Sequence, residues 1–572
     1  MLALARGSRR DALLIGALTL AVFSPTLAND WVEWDDLINF GDNPHYRGLR
    51  WPHVTWMFTT ALMGHWTPLT WLTLGFDHVL WGMNPVGYHL TNLLWHAANA
   101  ALVYVLAQHL LRRVWPDAAP ATVRLGAATA ALLFAVHPLR VESVAWVSER
   151  RDLVSGFFYL VTILAWLSMV QRTGASRRPW WIAALTAYAL ALLSKSIVIS
   201  LPLVLLVLDV YPLRRLAPAT WHSPEGRRVL LEKVPFALMA AAVTALTLAT
   251  FRAAQASVDD YPPTARLAMV GYSLAFYVRK TLLPANLSPL YELPWTVRLT
   301  DPEFLGSTIV VLALLVALVV GRRWWPAGLA AAVAYALTVA PVSGLAHSGP
   351  QLVADRYSYL STLGLAVLVG GGVVAVLSGA VGDVRASLGR LVVGSVTAWI
   401  AVLAFLTVNQ VQVWRNDRTL WEHALAIDPD CANCARAYAQ YQARTGAAEA
   451  RLRGALHARP ADIETRTQLA ALLVQQRRFP EAETELRAVL HQAPDSPDAL
   501  AFLGLVLVER GRAAEAVRVL ERAIGLTPSG ALAHFAMGRA LQALGREADV
   551  QPHLEALMRV EPRLGERLKR RW

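Results

Sequence analysis

Apolar residues fill long unbroken runs over the first 412 positions, and charges are confined to the short gaps between them. The runs fall near 11–28, 88–110, 122–138, 152–170, 179–194, 196–212, 233–251, 265–283, 304–320, 325–341, 357–379 and 391–410. None alternates with period two, so in hydrocarbon these segments must satisfy their own backbone as helices and not as barrel strands. Several fall short of the ~20 residues that a span requires, so their ends are loosely set. Beyond position 413 the pattern changes to charged, amphipathic helix. The chain is therefore predicted to be all-α, with a polytopic helical membrane domain over 1–412 and a soluble helical domain over 413–572.

The soluble part repeats itself. Pro460, Pro494, Pro528 and Pro562 are spaced by 34 residues, as are Gly504 and Gly538, Gly511 and Gly545, and Ala482 and Ala516. That period is the tetratricopeptide signature, with two antiparallel helices per unit and Pro after the second. Stacked units make an α-solenoid with a concave face suited to extended peptide.

Charge adds orientation. The formal net charge is +12, but Lys and Arg gather in short loops between apolar runs, the positive-inside pattern, so nucleic acid is not the implied partner. The basic loops 1–10, 111–124, 171–178, 213–233, 321–323 and 383–390 all belong on the cytoplasmic side. Alternation then requires one of 233–251 and 265–283 to be interfacial or re-entrant, leaving 11 spans. The loop 29–87 and the repeats fall outside, periplasmic in an inner-membrane protein. The first run, preceded by Arg6, Arg9 and Arg10, is expected to remain as an uncleaved span. The only cysteines, Cys431 and Cys434, are too few for a structural zinc site, and the sequence leaves open whether they pair.

Polar residues in and beside the spans need a reason. Asp35 and Asp36 follow the first span and come just after Trp31 and Trp34, which could lower the local dielectric or stack on a sugar. Two adjacent carboxylates cannot both be desolvated and ionised cheaply, so one can stay a base. His89, Asn92, His96 and Asn99 make one polar stripe on a helix, either interhelical glue or a substrate wall. His65 lies in the preceding external loop. "HPLRVESVAWVSERRD" brings His137, Arg140, Glu142, Glu149, Arg150, Arg151 and Asp152 to the external side, where guanidinium could meet phosphate or the neighbouring acids. Lys195 and Arg356 are lone cations at external span ends.

These blocks, taken in order, resemble a known family. "WDD" after the first span, "GHWTPLTWL", "NPVGYHLTNLLWHAAN", "HPLRVESVAWVSERRDLVSGFFYL", "LLSKSIVISLPLVLLVLD", "ADRYSYLSTLG" and the repeats look like the transmembrane-and-tetratricopeptide-repeat O-mannosyltransferases and their bacterial relatives. The resemblance implies a GT-C fold with its active site on the external face. It also implies a polyprenyl-phosphate sugar donor, with mannose as the sugar, and a Ser or Thr of a protein as acceptor. The base would be Asp35 or Asp36, with Asp36 the preferred one. Arg140, Arg150, Arg151, Lys195 and Arg356 would hold the donor phosphate. His65, His89, Asn92, His96, His137, Glu142 and Glu149 would line the substrate. No cofactor and no metal ligand set are assigned, and divalent-metal dependence stays open. The alternatives are a non-catalytic membrane scaffold that recruits envelope proteins through its repeats, or a GT-C enzyme acting on a lipid or envelope glycan.

Overall fold

A computed structural model describes residues 6–217, 219, 221–250, 261–345, 349–379 and 383–569. Parts of the predicted loops 1–10 and 213–233, and the last residue of the run 233–251, lie outside the described residues. The chain forms two compact units, 1–438 and 439–572. The sequence placed the change of character at 412/413, whereas 413–438 packs into the first unit, burying Trp414, Trp421, Cys431 and Cys434 in its core.

The first unit contains helices α1 (Arg6–Phe23), α2 (Trp51–Thr59), α3 (Pro68–Trp81), α4 (Pro85–Val114), α5 (Pro120–Ala135), α6 (Val141–Ala145), α7 (Arg150–Val170), α8 (Arg178–Leu192) and α9 (Leu201–Val210). It continues with α10 (Pro224–Leu231), α11 (Val234–Thr250), α12 (Pro263–Leu282), α13 (Pro302–Val320), α14 (Pro326–Val339), α15 (Ser358–Ser361), α16 (Leu363–Ser378), α17 (Asp383–Val413) and α18 (Asp417–Ile427). Each apolar run read from the sequence is built chiefly of helix. Two short strands, β1 (Tyr291–Glu292) and β2 (Gln351–Val353), pair antiparallel.

Among the described residues, six helices are long and apolar enough to cross a membrane, or eight if two bent pairs each count as one span. The expected eleven crossings exceed what length and composition alone give. Ser196–Val210 and Pro326–Val342 are apolar but short, and α8 has 15 residues. Helix α12 carries Arg266, Arg279 and Lys280 within 20 residues. The unit is apolar on the outside: Ile309, Val316 and Val320 of α13 and Leu391 and Phe405 of α17 are largely exposed. Such surfaces suit lipid and not water, and the chain is a multi-pass membrane protein.

Inside, the polar stripe of α4 ties helices together. Asn92 donates to the Val144 carbonyl at 3.0 Å and Asn99 to the Leu153 carbonyl at 2.9 Å. His96 Nε2 lies 2.9 Å from the Ala135 carbonyl, so it donates there and its Nδ1 accepts from the Tyr359 hydroxyl, which in turn accepts from Asn99. Every member of that chain has a partner, which is what makes buried polar side chains affordable in a membrane bundle.

The second unit takes in the C-terminal part of α19 (Ala432–Ala458). It continues with α20 (Ile463–Gln475), α21 (Phe479–Gln492), α22 (Pro497–Glu509), α23 (Ala513–Leu526), α24 (Ala531–Ala543), α25 (Gln551–Val560) and α26 (Pro562–Lys569). The 34-residue period reappears as geometry. Gly504 and Gly538 sit where an added Cβ would strike Leu520 and Leu568. Ala482 and Ala516 are fully buried. An ionic ladder repeats with it. Arg478 bridges Glu449 and Glu481, and one period later Arg512 bridges Glu483 and Glu515.

Gly511 and Gly545 turn the chain between paired helices with φ of 76° and 69°. The equivalent position one period earlier is Arg477, at φ 59° with an exposed side chain. A left-handed backbone costs a residue with a Cβ about 1–2 kcal/mol. Arg477→Gly is therefore expected to stabilise the repeat unit by about 1 kcal/mol, read as a raised midpoint in denaturant or thermal unfolding.

Candidate active site

The two aspartates after α1 are neighbours in sequence but differ in environment. Asp36 is buried, and both its oxygens are occupied. One accepts from the Ser148 backbone at 3.2 Å and the Ser148 hydroxyl at 2.5 Å, and the other from the Val32 N–H at 3.1 Å. Ser148 also accepts from Asn39 at 2.8 Å. Burial pushes the Asp36 carboxyl up to about 7, against the pull of these donors. Asp35 is half-buried, and among the described residues no hydrogen bond or ion pair reaches its carboxylate. Burial raises its pKa as well, while Arg151 and Arg356 draw it back down.

The two tryptophans just before the pair hold the loop in place. Trp34 stacks on Trp146 at 5.2 Å and packs against Trp421, and Trp146 stacks on Trp414. Trp31 packs on Phe40 and Tyr88. The backbone of Glu33 donates to Asp417 of α18 at 2.8 Å, and Asp30 to the Arg415 carbonyl at 2.9 Å. The dielectric around the pair is thus set by indoles packed on protein.

Beside Asp35 lies a buried charge cluster built on the 137–152 block. Glu149, with no exposed surface, accepts from Arg151 at 2.6 and 3.1 Å and from Lys195 at 2.8 Å, and it forms an ion pair with Arg356 at 3.3 Å. Lys195 also holds Asp152 at 2.7 Å, and Arg356 pairs with Glu142. Asp152 further accepts from Ser143. Three cations and three carboxylates therefore share one site. Arg151 keeps 13% of its side chain exposed, slightly more than Lys195 or Arg356.

Of the five cations expected at a donor phosphate, the structure brings Arg151, Lys195 and Arg356 together and seats the other two apart. Arg150 is fully buried in an ion pair with Asp77 at 2.6 Å and also donates to Asn92 and to the Tyr88 carbonyl. Arg140, also buried, donates to Ser358 and Thr362 and lies over the rings of Phe134 and Tyr359. Both act as internal braces.

The residues expected to line the substrate divide in the same way. Glu142 and Glu149 belong to the cluster. His65 and Arg151 both line a small cavity of about 20 Å³, room for roughly one water. Burial lowers the His65 pKa well below its usual value, and Arg151 and Lys195 lower it further, so it is neutral at physiological pH. Asn92 and His96 belong to the stripe of α4, and His89 is buried on the same helix. His137 bridges the Thr281 carbonyl at 3.0 Å and the Leu139 N–H at 3.2 Å.

The sequence did not assign Ser148, Asp152 or Asp355 to the site. Asp355 accepts from the Tyr291 hydroxyl at 3.0 Å, and its signal was its adjacency to Arg356 in "ADRY". Cys431 and Cys434 form a disulfide. Beside it Glu292 accepts from the backbone N–H groups of Ala432 and Asn433. Among the described residues no three His, Cys, Asp or Glu side chains are placed to hold a metal ion.

Residues 467–531 and 503–549 match the family model of the tetratricopeptide repeat. Over 137 residues the chain is 34% identical to the protein O-mannosyl-transferase Tmtc3 of Drosophila melanogaster, covering 22% of this chain and 15% of that protein. Over 176 residues it is 29% identical to the protein O-mannosyl-transferase TMTC2 of Homo sapiens, covering 29% and 20% respectively. The chain thus spans only a minor part of these curated relatives' own length. Beside its membrane helices and its repeats, the chain is thus similar over part of its length to the transmembrane-and-tetratricopeptide-repeat O-mannosyltransferases.

Proposed function

We propose that this protein is a GT-C glycosyltransferase that moves a sugar, mannose by the names of its relatives, from a polyprenyl-phosphate carrier to Ser or Thr hydroxyls of proteins on the external membrane face. The observation that carries this reading is Asp35: a half-buried carboxylate with no hydrogen-bonding partner among the described residues, beside a cluster of three cations.

In the proposed reaction the acceptor hydroxyl attacks the anomeric carbon. The bond from that carbon to the phosphate oxygen breaks, and the electron pair leaves with the lipid phosphate. Asp35 takes the hydroxyl proton. Its raised pKa makes it a stronger base than a solvated aspartate. Arg151, Lys195 and Arg356 meet the charge on the leaving phosphate. Asp36, saturated by Ser148 and Val32, fixes the loop that presents Asp35, so the base role passes to Asp35 from the neighbour that the sequence favoured. The disulfide supports an external position for the linker after α17, since such bonds persist in oxidising compartments. The repeats would gather acceptor chains.

Asp35→Asn is expected to insert and fold normally and to lower kcat for transfer from a polyprenyl-phosphate sugar to a peptide by about 10²–10⁴-fold. Asp36→Ala leaves the buried N–H groups of Val32 and Ser148 without an acceptor and should cost about 1–3 kcal/mol of stability, seen as a lowered thermal midpoint in detergent. In the wild type, acidification protonates the base, so kcat should fall with pH, with a midpoint above the ~3.9 of a free aspartate. A topology reporter fused after Trp572 should read as external.

A further inference from the structure

We propose that Glu149 is a positioning residue that occupies, in the donor-free protein, the seat between Arg151, Lys195 and Arg356 at which the donor phosphate docks. It orients the three cations and lowers their affinity for that phosphate. The inference rests on the reading of the chain as a polyprenyl-phosphate-dependent transferase.

Glu149 draws three N–H donors from Arg151 and Lys195 onto its two oxygens and pairs ionically with Arg356. A phosphate presents the same features, two or more anionic oxygens able to accept bidentate guanidinium and a lysine together. The three cations are not equally committed. Arg356 also holds Glu142, and Lys195 also holds Asp152, whereas among the described residues Glu149 is the one carboxylate paired with Arg151. Arg151 is also the cation that acts most strongly on Asp35. It is therefore the group best placed to exchange a carboxylate for a phosphate.

The charge balance explains why such an exchange matters. Glu142, Glu149 and Asp152 neutralise Arg151, Lys195 and Arg356, so the cluster presents no net positive charge to an arriving anion. A site of three unopposed cations in a low dielectric would retain the lipid phosphate after the sugar has left. A carboxylate that competes for the same donors displaces the product and restores the geometry for the next donor.

Two variants test this through opposite signs. Glu149→Gln keeps the size of the side chain and removes its charge. KM for the polyprenyl-phosphate sugar should fall roughly tenfold, inhibition by the sugar-free polyprenyl phosphate should tighten, and kcat should fall through slow release. Arg151→Gln should raise the same KM roughly tenfold and weaken that inhibition. Glu149→Asp, which keeps the charge, should return KM to near the wild-type value. Inorganic phosphate, assayed in parallel, separates recognition of the phosphate group from binding of the lipid, and its inhibition should follow the same order of variants.

A purely structural Glu149 would lower the amount of folded enzyme and reduce kcat at constant KM. That result, or KM values moving in the same direction in both variants, overturns the inference. If Glu149→Gln does not fold, Arg151→Gln decides alone, and an unchanged KM there overturns it. A wild-type protein that transfers nothing from a polyprenyl-phosphate sugar would instead sink the functional reading, so the two failures are distinguishable.

Discussion

A carboxylate sealed from water inside a membrane protein has to be met by cations, and at Glu149 three of them converge from three separate parts of the chain. Arg151 comes from the same turn, Lys195 from the end of α8, and Arg356 from the segment before α15. None of these charges is tolerable alone in that setting, because each desolvated ion costs several kcal/mol unless it is paired. The contact therefore forces distant segments to meet at one place. The same block extends the hold: Arg150 clamps Asp77 on α3, and Ser148 clamps Asp36 in the loop after α1. Sixteen residues, 137–152, thus act as the hub on which this end of the first unit is assembled.

Much of this was legible in the sequence because it is periodic or local. The apolar runs give helices, and the 34-residue spacing gives the repeat. The spacing also marks where an alanine or glycine is needed for close approach, as at Ala482 and Gly504. The chain's outer surface follows from the same pattern, since runs apolar on every side have no aqueous face to offer. What was not legible depends on tertiary partners. Nothing local distinguishes Asp35 from Asp36, because the difference is made by Ser148, 112 residues away. Arg150 and Arg151 read as a pair, yet successive helical residues point about 100° apart. One turns into the α3–α4 packing and the other toward Asp35. The stripe on α4 could serve as either glue or wall until its acceptors were known, and those acceptors are mostly carbonyls of other helices.

The segment that follows the membrane helices illustrates a further limit. Positions 413–438 carry charge and amphipathic pattern, so they read as the opening of the soluble part. Trp414 and Trp421 instead complete the indole stack on Trp146 and Trp34, and Asp417 caps the backbone of the aspartate loop. Pattern reports how much surface a segment can bury but not which neighbour it will bury it against. Here the neighbour is the most polar stretch of the membrane unit, whose indoles can be shielded only by other flat, largely apolar side chains.

The division of labour between the two aspartates follows from one asymmetry. In a medium of low dielectric, adjacent carboxylates repel strongly, and burial disfavours the charged form of each. Saturating Asp36 with three donors fixes its position and spends its lone pairs on the fold. That leaves Asp35 with its carboxylate uncommitted, held in place by the backbone of its neighbour and not by bonds of its own. A proton acceptor needs both properties together, a fixed position and free lone pairs, and a single carboxylate anchored by its own hydrogen bonds would have to give up one to gain the other. Doubling the residue separates the two demands, which is the physical case for placing two aspartates side by side, just after a pair of tryptophans, in the loop that follows the first helix.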